Sequence, residues 1–133
     1  MPDKNILVVE DERPLSEAIR IKLEKTGFSV VTARSVDQAL GHLQDGIIIH
    51  AIWLDHYLLG QGNGLDLVIN LKGDNSPWKN IPIFVVSNTA SPDKVCSYLH
   101  FGVNKYYTKA DYRLDKIIGD IKSFLETGES KNC

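Results

Sequence analysis

The chain has 133 residues, of which 43% are apolar and 24% are charged, and its formal net charge is −2. This length suits one domain with a real core, and the near balance of 15 basic and 17 acidic residues argues against nucleic-acid wrapping or membrane docking. The longest nearly apolar run, 47–54, is too short to span a bilayer, and the N-terminus lacks a signal-peptide core. Cys96 and Cys133 show no metal-ligand spacing, so we expect free thiols and a cytoplasmic protein.

Five short apolar runs alternate along the chain with segments of helical periodicity. The runs cover residues 6–9, 28–31, 47–54, 81–86 and 103–107. Continuous apolar runs of this length are typical of parallel strands that are covered on both faces.

A segment that predicts a helix follows each run. Each predicted start carries a helix-initiating residue: Pro14, Ser35, Asn63, Ser91 and Asp111. Gly27 and Gly46 are expected to close the first two helices, because glycine favours the position after a helix end.

Five strands alternating with five helices predict an α/β fold of (βα)5 type. We expect a doubly wound, five-stranded parallel sheet with helices on both faces. Residues 1–126 are expected to form this domain, and 127–133 a disordered polar tail. Ligands of such open sheets bind at the carboxyl ends of the strands, which is where we look for a site.

Polar side chains follow four of the five predicted strands. Glu10 and Asp11 follow the first strand and Asp55 the third, while Ser87 ends the fourth and Lys109 the fifth. If the first and third strands are neighbours, the carboxylates converge, and like charges that close favour a neutralising cation. A ligand set of oxygen atoms alone favours Mg²⁺ or a similar hard ion.

This set of residues supports phosphoryl transfer to a carboxylate. Asp55 is the natural nucleophile, because it stands alone on its strand, and it would form an acyl phosphate. Lys109 and the metal would neutralise charge on the transferring group, and the Ser87 hydroxyl would bond a phosphoryl oxygen.

The residues resemble the receiver domain of two-component response regulators, in particular the stand-alone, chemotaxis-regulator-like single domains. The resemblance covers roughly residues 4–126 and rests on four markers in the expected order. They are the segments 8–12 (VVEDE), 53–55 (WLD) with Asn63–Gly64, 85–87 (VVS) and 106–109 (YYTK).

The resemblance implies the flavodoxin-like strand order 2-1-3-4-5, and it also implies a site and its cofactor. Asp55 would be phosphorylated by a histidine kinase or phosphotransfer protein, with Mg²⁺ or Mn²⁺ bound by Glu10, Asp11, Asp55 and the backbone carbonyl of Tyr57. Lys109 would pair with the phosphoryl group. Such a protein is not an enzyme acting on metabolites, since it catalyses only its own phosphorylation and slow dephosphorylation.

The resemblance also implies a switch. Ser87 would move toward the phosphoryl group and Tyr106 would turn into the space released, remodelling the face of the fourth helix, fifth strand and fifth helix. That face would bind a downstream protein or a second copy of the chain. Tyr57 and Thr89 occupy the positions at which the family tunes hydrolysis of its acyl phosphate.

Four features depart from the family pattern. Leu59 and Ala110 stand where many receivers have proline, Asn88 stands where alanine or glycine is common, and the glycine-rich loop 60–64 is about one residue longer than usual. His56, next to Asp55, is expected to be an exposed loop residue without a function.

Three other functions share parts of this pattern. Phosphatases with an aspartate nucleophile carry Asp-x-Asp after the first strand and a cap insertion, which this chain lacks. An FMN carrier of the same strand plan needs a phosphate-binding loop where this chain has acids. A degenerate receiver that binds proteins without phosphorylation stays the alternative. If the chain is complete, the residues after Leu125 are too few for an output domain, so the receiver surface would carry the output.

Overall fold

One parallel sheet of five strands organises the molecule. A computed structural model describes residues 4–88 and 91–128 of the chain. The strands are β1 (Asn5–Val9), β2 (Ser29–Ala33), β3 (Ala51–Leu54), β4 (Ile83–Ser87) and β5 (Lys105–Thr108). Their order in the sheet is β2-β1-β3-β4-β5, which confirms the predicted topology.

Five helices cover both faces of this sheet. They are α1 (Arg13–Lys25), α2 (Val36–Gln44), α3 (Gly64–Leu71), α4 (Pro92–His100) and α5 (Leu114–Thr127). Buried residues of α1 and α5 share one hydrophobic cluster, and those of α2, α3 and α4 share the other. The strands therefore lie between two helical layers, as their continuous apolar runs predict.

Alternate strand residues build the two clusters. On β1, Leu7 and Val9 pack toward α2–α4, whereas Ile6 and Val8 pack toward α1 and α5. Trp53 on β3 belongs to the α1–α5 cluster and is fully buried. This two-sided burial fixes the register of each strand, because a slip by one residue would exchange the two faces.

Side-chain caps set the starts of α2 and α4, as one does for α3. The Ser35 hydroxyl accepts a hydrogen bond from the Gln38 N–H, and the Ser91 hydroxyl accepts one from the Lys94 N–H. The Gln38 side chain does not complete the capping box on Ser35, because it accepts from the Arg34 N–H instead. Both helices begin where the sequence predicts.

The third strand begins later than predicted, at Ala51 rather than at residue 47. His50 takes the place of a strand neighbour for Asn5: its N–H donates to the Asn5 carbonyl at 2.8 Å, and its Nδ1 accepts from the Asn5 N–H at 2.9 Å. Ile48 is 71% exposed, so the apolar run 47–50 is a connection and not part of the ladder.

The start of α5 also differs from the prediction. Asp111 is expected to open this helix, but its carboxylate accepts from the Thr108 hydroxyl at 2.6 Å and its N–H donates to the Thr108 carbonyl at 3.1 Å. Asp111 therefore closes a turn after β5, and the helix begins at Leu114. At its other end α5 continues to Thr127, and the tail from residue 129 lies outside the described residues.

Two smaller expectations concern membranes and thiols. None of the described helices combines the length and apolar character needed to cross a bilayer. Cys96 is a free, exposed thiol, and Cys133 lies outside the part of the chain that the structure describes.

Candidate functional site

Three carboxylates meet where β1 and β3 end. The ladder continues one residue beyond each strand, because the Glu10 N–H donates to the Ala33 carbonyl at 2.9 Å and the Asp55 N–H donates to the Val9 carbonyl at 3.0 Å. Glu10, Asp11 and Asp55 each offer a carboxylate oxygen, and these oxygens lie within 4.8 Å of one another. This point is the topological switch of the sheet, where β1 has β2 on one side and β3 on the other.

Lys109 brings a cation to the acidic cluster from β5. Its ammonium donates to Glu10 Oε1 at 2.9 Å and to Asp55 Oδ2 at 3.2 Å. The Lys109 N–H donates to the Ser87 carbonyl at 2.8 Å, so the backbone itself directs this side chain toward the cluster. No cis peptide bond occurs among the described residues, so the bond before Ala110 is trans.

Burial makes the acidic cluster electrostatically unfavourable without a further cation. Glu10 is fully buried and Asp55 is 5% exposed. Burial, and to a lesser degree the charge of Asp55, raises the pKa of Glu10 to about 7, against the lowering effect of Lys109. Burial lowers the pKa of Lys109, but its hydrogen bond to Glu10 and the charges of both carboxylates outweigh that effect and leave the pKa raised. The ionised form of Glu10 is therefore unfavourable unless a further cation neutralises it.

The cluster suits a divalent cation in its chemistry. It offers three carboxylates and no sulfur or imidazole, which is the donor set of hard ions such as Mg²⁺ and Mn²⁺. The raised pKa of Glu10 fits as well, since a bound cation would favour its ionised form. The Tyr57 carbonyl, which the resemblance adds to the ligands, stays a prediction.

The remaining predicted residues occupy the end of β4 and its surroundings. Ser87 is fully buried, and the β4–β5 register pairs it with Thr108. Asn88 is exposed. Thr89, predicted to tune hydrolysis, lies outside the described residues.

The loop after β3 is anchored at two places. The Tyr57 side chain is 52% exposed, and the Lys94 ammonium from α4 lies 3.3 Å from its hydroxyl and 5.0 Å from its ring centroid. The Leu59 N–H donates to the Arg34 carbonyl at 3.0 Å, and Leu59 forms an isolated parallel bridge with Ser35. These contacts hold both flanks of the loop segment 57–59, although Leu59 replaces the proline of many receivers.

Arg34 also holds the acidic loop after β1. Its Nε and Nη2 atoms donate to the Asp11 carbonyl at 3.1 and 2.9 Å. With its own carbonyl bonded to Leu59, Arg34 connects the loop that carries Asp11 to the loop that follows Asp55. Sequence analysis missed this residue, because nothing local marks an arginine that bonds a backbone carbonyl 23 positions away.

His56 is buried, and the expectation of an exposed residue is wrong. Only 8% of its surface is exposed, and its Nδ1 lies 2.5 Å from the Tyr98 hydroxyl of α4. Burial, followed by the charge of Lys94, lowers the pKa of His56, so the ring is neutral at pH 7. The His56 N–H donates to Asp55 Oδ1 at 2.7 Å. This burial could not be predicted from the sequence, since the hydroxyl partner lies 42 positions further on.

The N-terminus of α3 closes this region. The Asn63 side chain accepts from the Asp66 N–H and the Asp66 side chain accepts from the Asn63 N–H, which is a capping box. The Gly64 N–H donates to the His56 carbonyl at 2.8 Å. A Cβ on Gly64 would lie 2.5 Å from the Asp55 carbonyl oxygen and 2.6 Å from the Tyr98 hydroxyl. Only glycine permits this close approach of α3 to the site.

Tyr106 lies half-buried on β5, against the α2–α4 cluster. Its ring centroid is 5.5 Å from that of Tyr98, with the ring planes tilted by 54°. The predicted switch aromatic is therefore in contact with α4 through an aromatic pair.

The sequence comparisons point to one family of proteins. The sequence pattern of the response regulator receiver domain matches residues 6–121. Over 126 residues the chain is 30% identical to the phosphate regulon transcriptional regulatory protein PhoB of Escherichia coli K12. That alignment covers 92% of this chain but 52% of PhoB, so the chain spans about half the length of this relative.

The fold is also similar to those of solved response regulators. The Mn²⁺-bound form of the response regulator Rcp1 is 28% identical with a TM-score of 0.79, over 97% of this chain and 99% of Rcp1. The phosphorylated cyanobacterial phytochrome response regulator RcpA is 25% identical with a TM-score of 0.82, over 97% of this chain and 98% of RcpA. The sequence and structure comparisons thus lead to the same kind of domain.

Proposed function

Because the chain belongs to the family of response regulator receiver domains, we propose that it is a phosphorylation-dependent signalling switch with Asp55 as the phosphoacceptor. Receiver domains are signalling modules rather than metabolic enzymes. One observation carries the proposal: a nearly buried Asp55 lies between a lysine ammonium and two further carboxylates at the switch point of the sheet. We assign the receiver to residues 1–126.

The transfer itself takes place at one carboxylate oxygen of Asp55. This oxygen forms a bond to phosphorus while the phosphorus–nitrogen bond of a phosphohistidine breaks, and the electron pair leaves with the imidazole of the donor protein. The donor is a histidine kinase or a phosphotransfer protein. Lys109 pairs with the phosphoryl oxygens, and the Ser87 hydroxyl donates to one of them.

Glu10, Asp11 and Asp55 would hold Mg²⁺, or Mn²⁺, with the Tyr57 carbonyl as a further ligand. The cation supplies charge neutralisation for the transferring phosphoryl group. Arg34 supports this site, since it fixes the backbone of Asp11.

The output of the switch is a change of surface. Ser87 drawn toward the phosphoryl group releases space that Tyr106 enters, and this remodels the face made by α4, β5 and α5. This face binds a downstream protein, or a second copy of the chain. The phosphorylated state ends by slow hydrolysis of the acyl phosphate.

The function is tested by incubating the protein with acetyl phosphate and Mg²⁺ and measuring its intact mass. We expect a gain of one phosphoryl group that requires Mg²⁺ and disappears in Asp55→Asn. That variant keeps the size of the side chain and removes the nucleophilic carboxylate. Absence of the gain, or a gain that survives Asp55→Asn, would contradict the proposal and favour a protein-binding module that works without phosphorylation.

Tyr57 is expected to lengthen the phosphorylated state. Its half-exposed ring lies two residues after Asp55, in contact with the Lys94 ammonium, and would hinder the approach of water to the acyl phosphate. We therefore expect phosphorylated Tyr57→Gly to lose its phosphoryl group several-fold faster than the wild type, as followed by mass over time. Tyr57→Phe is the matched control, because it keeps the ring and should decay at the wild-type rate. Unchanged or slower decay in Tyr57→Gly would contradict a shielding role.

A further inference from the structure

A buried hydrogen bond joins the residue next to the phosphoacceptor to α4. We propose that His56 and Tyr98 act as positioning residues. They hold α4 in place and transmit the conformational effect of phosphorylation at Asp55 to α4 and Tyr106. The inference rests on the proposed function and adds to it a route that does not pass through Ser87 on β4.

The route begins at Asp55 itself. The His56 N–H donates to Asp55 Oδ1 at 2.7 Å, so the backbone of His56 is bonded directly to the carboxylate that would be phosphorylated. The imidazole then turns inward, with 8% of the residue exposed, and its Nδ1 lies 2.5 Å from the Tyr98 hydroxyl. A single residue thus contacts both the phosphoacceptor and α4.

The Tyr98 hydroxyl is enclosed by protein groups. His56 Nδ1 is its hydrogen-bonding partner at 2.5 Å, beside the first turn of α3. Gly64 provides the space, since a Cβ there would lie 2.6 Å from the hydroxyl oxygen. Tyr98 is fully buried, so these protein groups replace the water that would otherwise satisfy its hydroxyl.

The ring of Tyr98 completes the route to the switch aromatic. Its centroid lies 5.5 Å from that of Tyr106, within the range of interacting aromatic pairs. Because the hydroxyl fixes one end of Tyr98 and the helix backbone fixes the other, a shift at His56 changes the surface on which Tyr106 packs.

Phosphorylation alters the first bond of this route. Hydrogen bonds to a carboxylate are roughly twice as strong as those between neutral groups. In the acyl phosphate one oxygen is bonded to phosphorus and the other is a neutral carbonyl oxygen, so the bond from the His56 N–H weakens. The position of His56, and with it the Tyr98 hydroxyl, is then free to change.

The test compares hydrogen exchange of α4 before and after phosphorylation. The variant is Tyr98→Phe, which keeps the ring against Tyr106 and removes the hydroxyl. The matched control is Tyr107→Phe, because Tyr107 is also a buried tyrosine whose hydroxyl donates to a carboxylate, Asp120, on the other face of the sheet. Samples are compared at the same phosphorylated fraction, measured by mass.

We expect phosphorylation to change the exchange of residues 92–100 in the wild type and in Tyr107→Phe. In Tyr98→Phe this change should fall to less than half, and exchange in the unphosphorylated state should already be faster. A merely structural role would raise the basal exchange of Tyr98→Phe and leave its response to phosphorylation intact, which would overturn the inference.

A pair of substitutions at His56 gives a second test. Asparagine offers a polar atom close to the position of Nδ1, so His56→Asn should retain the response of α4, whereas His56→Leu should lose it. Loss in both, or retention in both, would contradict the assigned hydrogen bond. If the wild type takes up no phosphoryl group, the proposed function fails and the inference with it. If it is phosphorylated and Tyr98→Phe responds fully, only the inference fails.

Discussion

Replacing Lys109 with methionine is expected to slow phosphorylation of Asp55 by acetyl phosphate roughly 100-fold, while Mg²⁺ binding is kept or becomes tighter. The ammonium lies 3.2 Å from Asp55 Oδ2, close enough to neutralise a phosphoryl group attached there. A preorganised charge of this kind stabilises the transition state in which negative charge develops, and methionine keeps the stem of the side chain without that charge.

The expected rise in Mg²⁺ affinity follows from the same contacts. Lys109 bonds to Glu10 and Asp55, which are also the proposed ligands, so ammonium and cation compete for the same negative charge. Two unit charges about 4 Å apart interact by about 4 kcal/mol at an effective dielectric constant of 20. Removing the ammonium therefore raises the attraction of the cluster for Mg²⁺, which a titration by calorimetry or by tryptophan fluorescence measures.

Lys105→Met is the matched control for this experiment. Lys105 is also on β5, and its ammonium lies 3.8 Å from the carboxylate of Asp120, away from the acidic cluster. We expect Lys105→Met to keep both the transfer rate and the Mg²⁺ affinity. If Lys109→Met lost Mg²⁺ binding together with transfer, the site would have collapsed, and a charge role for Lys109 would be wrong.

The fold could be predicted almost completely because each of its elements has a local cause. The alternation of apolar runs and amphipathic segments predicts a parallel sheet between helices, and Ser35 and Ser91 mark helix starts by their own hydrogen bonds. The start of β3 is wrong in the prediction because a distant side chain replaces a local signal there. Regular pairing of β3 with β1 begins only after His50, because the His50 ring accepts a hydrogen bond from the backbone N–H of Asn5, 45 positions earlier.

The candidate site divides in the same way. Its charged residues could be predicted, since each directly follows a strand and parallel strands place their carboxyl ends at one edge. The residues that position these charged groups could not be predicted, because their partners are distant in sequence. Arg34 bonds the carbonyl of Asp11, and His56 bonds the hydroxyl of Tyr98, and neither contact leaves a pattern that periodicity or spacing shows.

Gly64→Ala is expected to lower the free energy of unfolding by about 2–3 kcal/mol. The added Cβ would lie 2.5 Å from the Asp55 carbonyl oxygen and 3.1 Å from the His56 Cα, and both are backbone atoms that cannot move away alone. Because α3 would have to retreat from the loop after β3, we also expect slower phosphorylation. Urea unfolding at equilibrium measures the loss of stability.

Glycine-to-alanine substitutions elsewhere separate this clash from the general effect of the residue. Gly41 in α2 and Gly119 in α5 are helical, and a Cβ at either position would meet no atom within 4 Å. Alanine there should stabilise the protein by about 0.5–1 kcal/mol, because it forms helices better than glycine. A loss of stability at all three positions would point to the unfolded state or to helix geometry, and the close approach at Gly64 would not be its cause.

The double variant Gly64→Ala with Tyr98→Phe separates the two parts of the clash. The Tyr98 hydroxyl would lie 2.6 Å from the new Cβ, so its removal relieves one close contact and leaves the contact with the Asp55 carbonyl. Residues in contact give non-additive effects, so we expect the double variant to be more stable than the sum of the single losses predicts, yet less stable than the wild type. Full recovery would mean that the hydroxyl alone requires glycine. Strict additivity would mean that the backbone of Asp55 alone sets how closely α3 approaches the phosphoacceptor.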